Sequence, residues 1–379
     1  MGKIKNIFIV CGEPSGDLLA GNLIKAIKNL DPEIKVSGVG GAYLAESGCE
    51  IFYNIRELAV MGILDVLKKL PKFLKLRKSI LAKINTDKPD AIIFVDFSGF
   101  NLRLAKAVKR RIPTIYYVSP QVWASREGRI NSIKKFISKM IVLFKFEEDF
   151  YKRRQIEASW IGHPLIDLVK PVLGKQEFLD NYRISPSKTI IALLPGSRKQ
   201  EVASILPLML KSAQRIHDKI PQTQFIIAKS PHLDTQLYQR ECKKFTLDLR
   251  IIDGLTSDCL NMAEVSMVCS GSATLEAAII GKPFVVVYKT SLFNYLLYRP
   301  QIKIPYIGMV NIVAGRKIIP EFIQFNASSK KIGESIIGLM QNPDYADQIK
   351  ENLKSMKANL GENGASDRAA KLIFNFIYP

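Results

Sequence analysis

The sequence predicts an α/β protein built from two open parallel-sheet domains and a helical tail. The chain has 379 residues, which exceeds the usual length of one compact domain. Short apolar runs alternate with helical patterns through both halves, which is the rhythm of βαβ units. After Asn326 the pattern is helical only. We therefore predict domains over residues 1–168 and 169–340, followed by a helical tail over 341–379.

Each predicted strand is a short apolar run next to a turn or loop signal. The runs of the first half are 7–11, 36–39, 91–95, 114–118, 140–143 and 159–161, and those of the second are 189–194, 224–228, 249–252, 265–269 and 284–287. Long helical patterns cover about 62–85, where Pro71 predicts a break or restart, and 102–109. Open sheets bind ligands beyond the carboxyl ends of their strands, so we expect the site in a cleft where the domains face each other.

Cysteine and histidine usage argues against disulfides and metal sites. The five cysteines are scattered without a CxxC pair, which is typical of reduced, buried thiols in a cytoplasmic protein. The three histidines are far apart and form no HExxH motif, so we expect no metal ion. No apolar stretch approaches the roughly 20 residues of a membrane span, and the N-terminal region does not have the pattern of a signal peptide.

Positive charge is concentrated in the first half. The formal net charge is +20, and residues 65–154 hold 22 Lys and Arg against 8 Asp and Glu. Such a region is compatible with an anionic membrane, a phosphorylated substrate, nucleic acid, or solubility alone. Nucleic acid is the weaker choice, because the basic helical pattern at 63–78 carries Leu and Phe rather than a stacking platform.

Two loops of the second half have the composition of phosphate-binding loops. Residues 194–201 and 270–276 both follow predicted strands and place small or hydroxyl-bearing residues where a helix begins. Free N–H groups and the helix dipole attract phosphate there, and an ordinary capped helix is the alternative. Glu276 is placed to reach a ribose diol. No GxxxxGK[ST] motif is present, so hydrolysis of a nucleoside triphosphate is not favoured.

Three polar segments of the first half also follow predicted strands. The loop 12–17 is not GxGxxG, which argues against a nicotinamide cofactor. Asp96 ends an apolar strand, so we expect a partly desolvated carboxyl with a raised pKa that suits a general base, or else a helix cap. The segment 119–129 contributes a polar pocket wall in which Arg126 and Arg129 are spaced to hold a phosphate.

Several motifs in one order resemble the lipid-A-disaccharide synthase family. They are GEPSGD (12–17), VMGILDVL (60–67), SPQVWA (119–124), IGHPL (161–165), LPGSRKQEV (194–202), SGSATLEA (270–277) and NIVAGRKIIPEFIQ (311–324). The resemblance implies a GT-B glycosyltransferase that is inverting, needs no metal or cofactor, and lies peripherally on the cytoplasmic face of the inner membrane. It would join UDP-2,3-diacylglucosamine to 2,3-diacylglucosamine 1-phosphate, giving a β-1,6 disaccharide and UDP.

The resemblance and the loops together nominate site residues. For UDP we expect Gly196, Ser197, Arg198, Ser270, Gly271, Ser272, Thr274 and Glu276, with Arg198 on the diphosphate and Glu276 on the ribose. For the donor and acceptor pocket we expect Ser15, Asn101, Gln121, Trp123, Arg126, Asn311 and Arg316. Asp96 is the candidate base and Glu13 its substitute. Without its context, the loop containing Asn311 and Arg316 is better interpreted as an ordinary connection.

One departure from the family pattern affects the base. The family usually reads Asp-x-Pro-Asp-Phe-Asn where this chain has Asp96-Phe-Ser-Gly-Phe-Asn, so Gly99 occupies the position of the proposed general base. Either Asp96 or Glu13 serves instead, or the chain uses another acceptor or has lost catalysis and binds UDP-sugar or lipid at the membrane. Ser125 is a smaller departure. A different GT-B glycosyltransferase and a UDP-sugar epimerase are further alternatives.

A basic amphipathic pattern at 63–78 predicts contact with an anionic inner-membrane surface. Its apolar side carries Ile63, Val66, Leu67, Leu70, Phe73 and Leu74, and lysines gather on the other side. That combination suits a helix lying in the membrane interface. A helix packed on the sheet with its lysines in water is the alternative. A homodimer is left open, and no nucleic-acid partner is expected.

Overall fold

The described chain forms two compact units. The computed structural model describes residues 6–58 and 70–377. Unit 1 draws on Met1–Pro164, Gln301–Lys303 and Leu360–Pro379, and unit 2 on Leu165–Pro300 and Ile304–Asn359. The first boundary thus falls close to the predicted one at 168. The predicted tail over 341–379 is divided between the units instead of standing apart from them.

Thirteen strands in the described residues form two parallel sheets. Unit 1 contains β1 (Asn6–Val10), β2 (Lys35–Gly40), β3 (Glu50–Asn54), β4 (Ala91–Val95), β5 (Thr114–Tyr117), β6 (Lys139–Val142) and β7 (Ala158–Trp160). Unit 2 contains β8 (Thr189–Leu194), β9 (Thr223–Lys229), β10 (Leu249–Asp253), β11 (Val265–Cys269), β12 (Phe284–Tyr288) and β13 (Glu321–Ile323). The orders are β3-β2-β1-β4-β5-β6-β7 and β10-β9-β8-β11-β12-β13.

Helices connect the strands. In chain order they are α1 (Pro14–Leu30), α2 (Ala42–Glu46), α3 (Leu70–Asp87), α4 (Ser98–Val108), α5 (Ile130–Phe136), α6 (Lys145–Lys152), α7 (Leu165–Leu168), α8 (Lys175–Tyr182), α9 (Lys199–Lys219), α10 (Thr235–Cys242), α11 (Thr256–Met262), α12 (Ala273–Ile280), α13 (Leu292–Tyr298), α14 (Met309–Ala314), α15 (Ser329–Gln341), α16 (Pro343–Ala358) and α17 (Ala365–Ile377). No helix among these is long and apolar enough to cross a membrane.

The central strands of both sheets are buried on both faces, which explains their unbroken apolar sequences. Residues 91–95 are fully buried, and so are 7–10 beside them. In unit 2 the strand 284–288 is buried except at its last residue, which is half-buried. A parallel sheet covered by helices on both faces requires such strands, and their burial contributes to the hydrophobic stabilisation.

Every predicted strand is present within one residue of its predicted bounds, but two strands were missed. β3 pairs only with β2, and β13 pairs only with β12, so both lie at sheet edges. β3 is half-buried, and β13 has only three residues, half-buried throughout. Edge strands of this kind lack the continuous apolar run that marks a buried parallel strand.

Two helix starts bear on the sequence predictions. Pro71, where a break or restart was predicted, is the second described residue of α3, a position at which the missing N–H of proline is tolerated. α4 begins at Ser98, four residues before the predicted start, because Asp96 and Phe97 adopt positive φ values of 45° and 44° and turn the chain sharply into the helix.

Each sheet reverses its strand order at one point, and these points position the candidate sites. In unit 1 the reversal lies between β1 and β4, and in unit 2 between β8 and β11. Helices leave the sheet in opposite directions there, which opens a crevice at the carboxyl ends of the two strands. The loops 11–13 and 96–97 border this crevice in unit 1, and 195–198 and 270–272 border it in unit 2.

The C-terminal helix completes unit 1. α17 packs on α1 of the same unit. Its buried face consists of Ala365, Ala369, Ala370 and Ile373, each without exposed surface. Three small residues on this face permit close approach of the two helices.

Candidate functional site

The loop after β8 is shaped by a glycine and closed by a carboxylate. Gly196 has a φ of +113°, and a Cβ there would lie 2.6 Å from Glu201 Oε2 and 3.2 Å from Cys269 Sγ, so only glycine fits. The Glu201 carboxylate accepts hydrogen bonds from the backbone N–H groups of Ser197 and Arg198, at 3.1 and 3.2 Å. The Arg198 guanidinium pairs with the same carboxylate at 3.0 Å.

Glu201 therefore occupies the N-terminus of α9, where sequence analysis expected a diphosphate. A glutamate three residues after the cap position is a known way to satisfy free N–H groups, and that spacing could have identified Glu201 from the sequence. The start of α9 thus already holds a carboxylate on two backbone N–H groups, and the anion site predicted there stays a prediction. A phosphate would have to replace Glu201 on Arg198 and on the two N–H groups.

The loop after β11 presents an open turn with its own hydroxyls turned inward. Thr274 is buried, and its hydroxyl donates to the Gly271 carbonyl oxygen at 2.8 Å. The Ser270 hydroxyl donates to the Ile307 carbonyl oxygen at 3.0 Å. A Cβ at Gly271 would meet nothing within 4 Å, and Ser272 is exposed. Thr274 and Ser270 thus shape the loop, while Gly271 and Ser272 form its accessible side.

Glu276 is the unpartnered carboxyl of this region. It lies in the first turn of α12, half-buried, and burial raises its pKa to about 6. Among the described residues its side chain has no hydrogen-bond or ion-pair partner. A partly desolvated carboxylate without a partner is costly unless something else satisfies it. Glu276 is therefore a carboxyl of unit 2 whose hydrogen-bonding capacity is not used among the described residues.

Asn311 has a structural role in place of the predicted contact with a donor sugar. It is fully buried, and its Nδ2 donates to the Ile319 carbonyl oxygen at 2.9 Å and to Glu321 Oε1 at 2.7 Å. Its Oδ1 accepts from the backbone N–H groups of Ile318 and Ile319 at 2.8 and 3.0 Å. The amide thus has its donors and acceptor engaged within unit 2.

Glu321 extends this network to the loop that covers Ser270. Its carboxylate accepts hydrogen bonds from the backbone N–H groups of Ile307 and Gly308, both at 3.0 Å. Ile307 is the residue whose carbonyl oxygen receives the Ser270 hydroxyl. Arg316, by contrast, is exposed and donates to Asn352 on α16 at 2.7 Å, so it lies against a helix rather than in this network.

In unit 1 the candidate base Asp96 sits at a strained turn held by its neighbours. The Asp96 carbonyl oxygen accepts hydrogen bonds from Asn101 Nδ2, at 2.9 Å, and from the Tyr116 hydroxyl. Asn101 is fully buried, and its Nδ2 also lies 3.3 Å from the carbonyl oxygens of Val10 and Val95. Asn101 therefore ties the ends of β1 and β4 together, a structural role in place of the predicted pocket contact.

The loop after β1 lies against this turn. Gly12 is required because a Cβ there would fall 2.3 Å from the Phe97 ring, and the hypothetical Cβ of Gly16 lies 3.9 Å from Asp96 Cβ. Glu13 is half-buried at the cap position of α1, and Ser15 is exposed on the first turn. The structure thus brings the first turn of α1, with Glu13 and Ser15, next to Asp96.

Position 99 faces an arginine. Gly99 is exposed in the first turn of α4, and a Cβ there would meet only Arg129 Nη2, at 3.8 Å. Arg129 donates through Nη1 to the Ser98 hydroxyl at 2.6 Å, and partial burial lowers its pKa. The space where the family pattern has aspartate is therefore open and cationic. Arg129 thus contacts the start of α4, and the charge of Arg126, with which the sequence pairs it, also lowers its pKa.

The Trp123 indole is oriented by a buried glutamate that sequence analysis missed. Trp123 Nε1 donates to Glu147 Oε1 at 3.0 Å, and Glu147 Oε2 accepts from the backbone N–H groups of Leu143 and Phe144 at 3.3 Å. Burial raises the pKa of Glu147 to about 7. Gln121 and Arg126 of the same segment are exposed. Among the three, Trp123 is held by a buried carboxylate, and Arg126 Nε donates to Gln301 Oε1 at 3.5 Å.

The predicted membrane-facing pattern is described only in part. Ile63, Val66 and Leu67 lie outside the described residues, as does the side chain of Leu70. Phe73 contacts Phe97 and Phe100 with tilted rings whose centroids lie 6.1 and 6.2 Å away, so it packs toward the Asp96 turn. Leu74 points outward with 48% of its surface exposed. Of the two side chains, Leu74 is the one available to a membrane.

Metal ligands are not clustered in the described part of the chain. Residues 6–58 and 70–377 contain no group of three or more His, Cys, Asp or Glu side chains that could hold a metal ion. The five cysteines are free, and four of them are buried.

Solved structures of low sequence identity share the fold. A UDP-GlcNAc 2-epimerase from Neisseria meningitidis bound to UDP-GlcNAc superposes with a TM-score of 0.65 at 13% identity, covering 98% of this chain and 99% of that chain. A glycotransferase of kitacinnamycin superposes with a TM-score of 0.66 at 15% identity, covering 99% of this chain and all of that chain. These similarities establish the GT-B fold and no more.

Sequence comparison is more specific. The profile of the family described as Lipid-A-disaccharide synthetase matches residues 7–376. The lipid-A-disaccharide synthase of Syntrophus aciditrophicus (strain SB) is 38% identical over 375 residues, covering 98% of each chain. That of Coxiella burnetii (strain CbuG_Q212) is 35% identical over 376 residues, covering 99% of each chain. The chain is therefore a glycosyltransferase that belongs to the lipid-A-disaccharide synthetase family.

Proposed function

We propose that this chain joins UDP-2,3-diacylglucosamine to 2,3-diacylglucosamine 1-phosphate, forming the β-1,6 disaccharide 1-phosphate and UDP. The observation that carries the proposal is the unpartnered carboxyl of Glu276, with a pKa raised to about 6, beside the open turn at Gly271 and Ser272. A carboxylate accepts both hydroxyl hydrogens of a ribose diol, and the neighbouring helix N-terminus suits a phosphate. Family membership supports the identity of the lipid substrates.

The diphosphate of the donor binds at the start of α9 in this proposal. In the structure the Glu201 carboxylate lies 3.0 Å from the Arg198 guanidinium and 3.1 Å from the backbone nitrogen of Ser197. Phosphate oxygens of the donor replace it on both groups. The glycine at 196 permits this close approach of backbone to ligand. Arg198 and the helix dipole then neutralise the charge that develops on departing UDP, which makes the reaction metal-independent.

The displacement itself is a single inverting step. A carboxylate removes the proton from the acceptor 6-hydroxyl, and the hydroxyl oxygen attacks C1 of the donor sugar. The bond between C1 and the diphosphate oxygen breaks, and its electron pair leaves with UDP. Asp96 is the proposed base, because it ends β4 at the reversal point of the unit 1 sheet, and Glu13 beside it is the substitute.

The acceptor site is proposed to lie in unit 1. Arg129, 2.6 Å from the Ser98 hydroxyl, and the Trp123 indole held by Glu147 flank the same sheet end as Asp96. An arginine whose charge is partly desolvated suits the 1-phosphate of the acceptor. We further propose that the protein acts at the cytoplasmic face of the inner membrane, where Leu74 and the exposed Lys72, Lys75 and Lys78 of α3 contact anionic lipid.

A second candidate function is binding without transfer, or transfer to another acceptor. Gly99 favours it, since the position that carries a carboxylate in the family pattern is a glycine beside Arg129. Gly99 is helical with room for a Cβ, so Gly99→Asp introduces no strain. That substitution separates the two candidates.

The test incubates purified protein with both proposed substrates and follows UDP and disaccharide. We expect product with the wild type, and a loss of about 100-fold or more in kcat with Asp96→Asn. Asparagine tolerates the positive φ of Asp96, so the turn is retained and UDP affinity should not change. Glu13→Gln is the matched variant for the substitute base.

Three outcomes decide between the candidates. A larger loss with Glu13→Gln than with Asp96→Asn reassigns the base. No product from the wild type, together with tight UDP binding and product from Gly99→Asp, supports a protein that has lost transfer. No binding of UDP by any of these proteins contradicts the proposed donor site.

A further inference from the structure

Unit 2 exposes one compact group of large apolar side chains. Leu292, Phe293, Leu296 and Leu297 of α13 are between 42% and 64% exposed, and Phe325 is 76% exposed. A folded protein seldom leaves so many large apolar side chains together in water unless they bind something. We call these five residues the α13 apolar face.

The four α13 residues form one continuous surface. At 100° per residue, positions 292, 296, 293 and 297 fall within an arc of about 140°. Asn294 and Tyr295 lie on the other side of the helix and are half-buried. The exposed arc is therefore the side of the helix turned away from unit 2, and it is wholly apolar.

Phe325 is fixed beside this helix by an independent set of contacts. Its ring meets Tyr295 edge to face, with centroids 5.7 Å apart. The preceding Gln324 is buried and holds Thr290 by two hydrogen bonds, from Thr290 N to Oε1 at 3.2 Å and from Nε2 to the Thr290 carbonyl oxygen at 3.1 Å. The segment before α13 and the segment bearing Phe325 are thereby joined, so the face is built by the fold.

The charged residues that flank α13 in the sequence are all positive. No Asp or Glu occurs between Glu276 and Glu321. Lys289 and Arg299, which flank α13 on either side, are both exposed. A short apolar surface bordered by cations matches the interface of an anionic bilayer, where apolar side chains enter the acyl region and cations meet phosphate.

A second copy of the chain fits less well. A two-fold contact through this face would bring the Lys289 and Arg299 of both copies together with no acidic residue from the same stretch to offset them. The net charge of +20 adds to that repulsion.

We infer that the α13 apolar face is a membrane-binding surface that inserts its leucines and phenylalanines into the interface of an anionic bilayer. The inference goes beyond the proposed function, because it concerns a surface of unit 2 and needs neither donor nor acceptor. It adds a contact of unit 2 to the one proposed for Leu74 in unit 1.

The test measures binding of the whole chain to vesicles of phosphatidylethanolamine and phosphatidylglycerol that contain no glycolipid. The double variant Phe293→Glu and Leu296→Glu should lower the partition coefficient at least tenfold. Val172→Glu is the matched control, since Val172 is 72% exposed in unit 2 and lies outside the face. It should partition nearly as the wild type does. Thermal melting should be unchanged in both, because the altered side chains are exposed.

Unchanged partitioning of the double variant overturns the inference. So does a wild-type dimer that the double variant converts to monomer while vesicle binding stays the same, since the face would then join two copies. Leu74→Glu tests the unit 1 contact separately. If Leu74→Glu lost vesicle binding and the double variant did not, the proposed contact of unit 1 would be supported and that of unit 2 contradicted.

Discussion

Three glutamates of unit 2 show how their partners decide what a carboxylate does. Glu201 caps α9 and holds Arg198, and Glu321 holds two backbone N–H groups and Asn311. Both are satisfied within the fold. Glu276 has a raised pKa and no partner among the described residues. Of the three, only Glu276 is without a hydrogen-bond partner among the described residues, which is why we propose that it binds the ribose.

Affinity for UDP should therefore fall below pH 6 in a way that depends on Glu276. The pKa of about 6 means that the carboxylate form, which accepts the ribose hydroxyls, is lost as pH falls through that value. If only this form binds, the dissociation constant rises about tenfold between pH 8 and pH 5. Glu276→Gln should bind more weakly at pH 8 and lack this component of the pH dependence.

Calorimetry with UDP alone provides the measurement. The UDP phosphate titrates in both proteins, so the difference between wild type and Glu276→Gln isolates the side chain. Glu177→Gln is a suitable control because Glu177 is exposed on α8 of the same unit. Identical pH profiles for wild type and Glu276→Gln would remove Glu276 from the site.

The sequence predicts the positions of the candidate loops residue by residue, but it does not predict the structural roles of Asn101 and Asn311. The turn at 270–272 and Glu276 were nominated from local composition, because a strand, small residues and a helix start are consecutive in sequence. Asn101 and Asn311 were nominated alongside them, yet both are fully buried. Their partners lie on other segments, such as Val10 for Asn101. Burial and remote partners are tertiary facts that local composition does not contain.

At the scale of elements, strand ends are held by side chains from the helices that follow them. Glu147 of α6 holds the end of β6 and the Trp123 indole, and Asn101 of α4 holds the ends of β1 and β4. The crevice of unit 1 is thus shaped by interior polar groups rather than by its loops alone. Removing one member of such a buried network destabilises a protein, because its partners are left without a hydrogen bond.

Glu147→Ala should both destabilise unit 1 and impair acceptor binding. It leaves the N–H groups of Leu143 and Phe144 and the Trp123 indole without their acceptor, at a cost of about 2 kcal/mol or more. Urea denaturation gives the loss of stability. Steady-state kinetics should show a higher KM for the acceptor, because Trp123 is no longer held.

The control for this experiment is Asp149→Ala, an exposed acid two residues along the same helix. It should change neither the urea midpoint nor the kinetics. A loss of stability in Glu147→Ala without any change in KM would leave Glu147 a structural residue only and separate Trp123 from the acceptor.

Element boundaries were predictable where burial alone produces them. The runs 91–95 and 265–269 coincide with β4 and β11, since a strand buried on both faces must be apolar throughout. β3 and β13 escaped prediction, and each is an edge strand, paired on one side only; the edge strands β7 and β10 were predicted, so edge position alone does not explain the two misses. Each forms because a neighbouring strand, β2 or β12, offers it an unpaired edge. Residues 50–54 and 321–323 contain no local pattern that predicts this pairing.

At the scale of the whole molecule, the chain returns to unit 1 after completing unit 2. Residues 360–379 belong with the first sheet although they follow every residue of the second. The sequence predicts that the end of the chain is helical, but it does not predict that residues 341–379 are divided between the two units. Only the packing of α17 on α1 decides its unit, and helix periodicity carries no information about which partner a helix selects.

Ile373→Asp should therefore unfold unit 1 while sparing unit 2. Ile373 is fully buried in α17, and a charge there costs several kcal/mol. Limited proteolysis should cut within 6–164 and leave a fragment containing 175–358 protected. Asn375→Asp introduces the same charge at an exposed position of the same helix and should resist proteolysis as the wild type does. Equal resistance of the two variants would show that α17 is dispensable for unit 1.

The position of α17 also sets the order in which the two units can complete their folding during synthesis. Translation proceeds at about 5–20 residues per second, and domains generally fold as they emerge from the ribosome. Unit 2 has all its residues once Asn359 has been made, whereas α1 still waits for the helix that covers it. The unit that is begun first is thus completed last. Until α17 arrives, the nascent chain carries an uncovered helix surface that a chaperone or a neighbouring chain can reach.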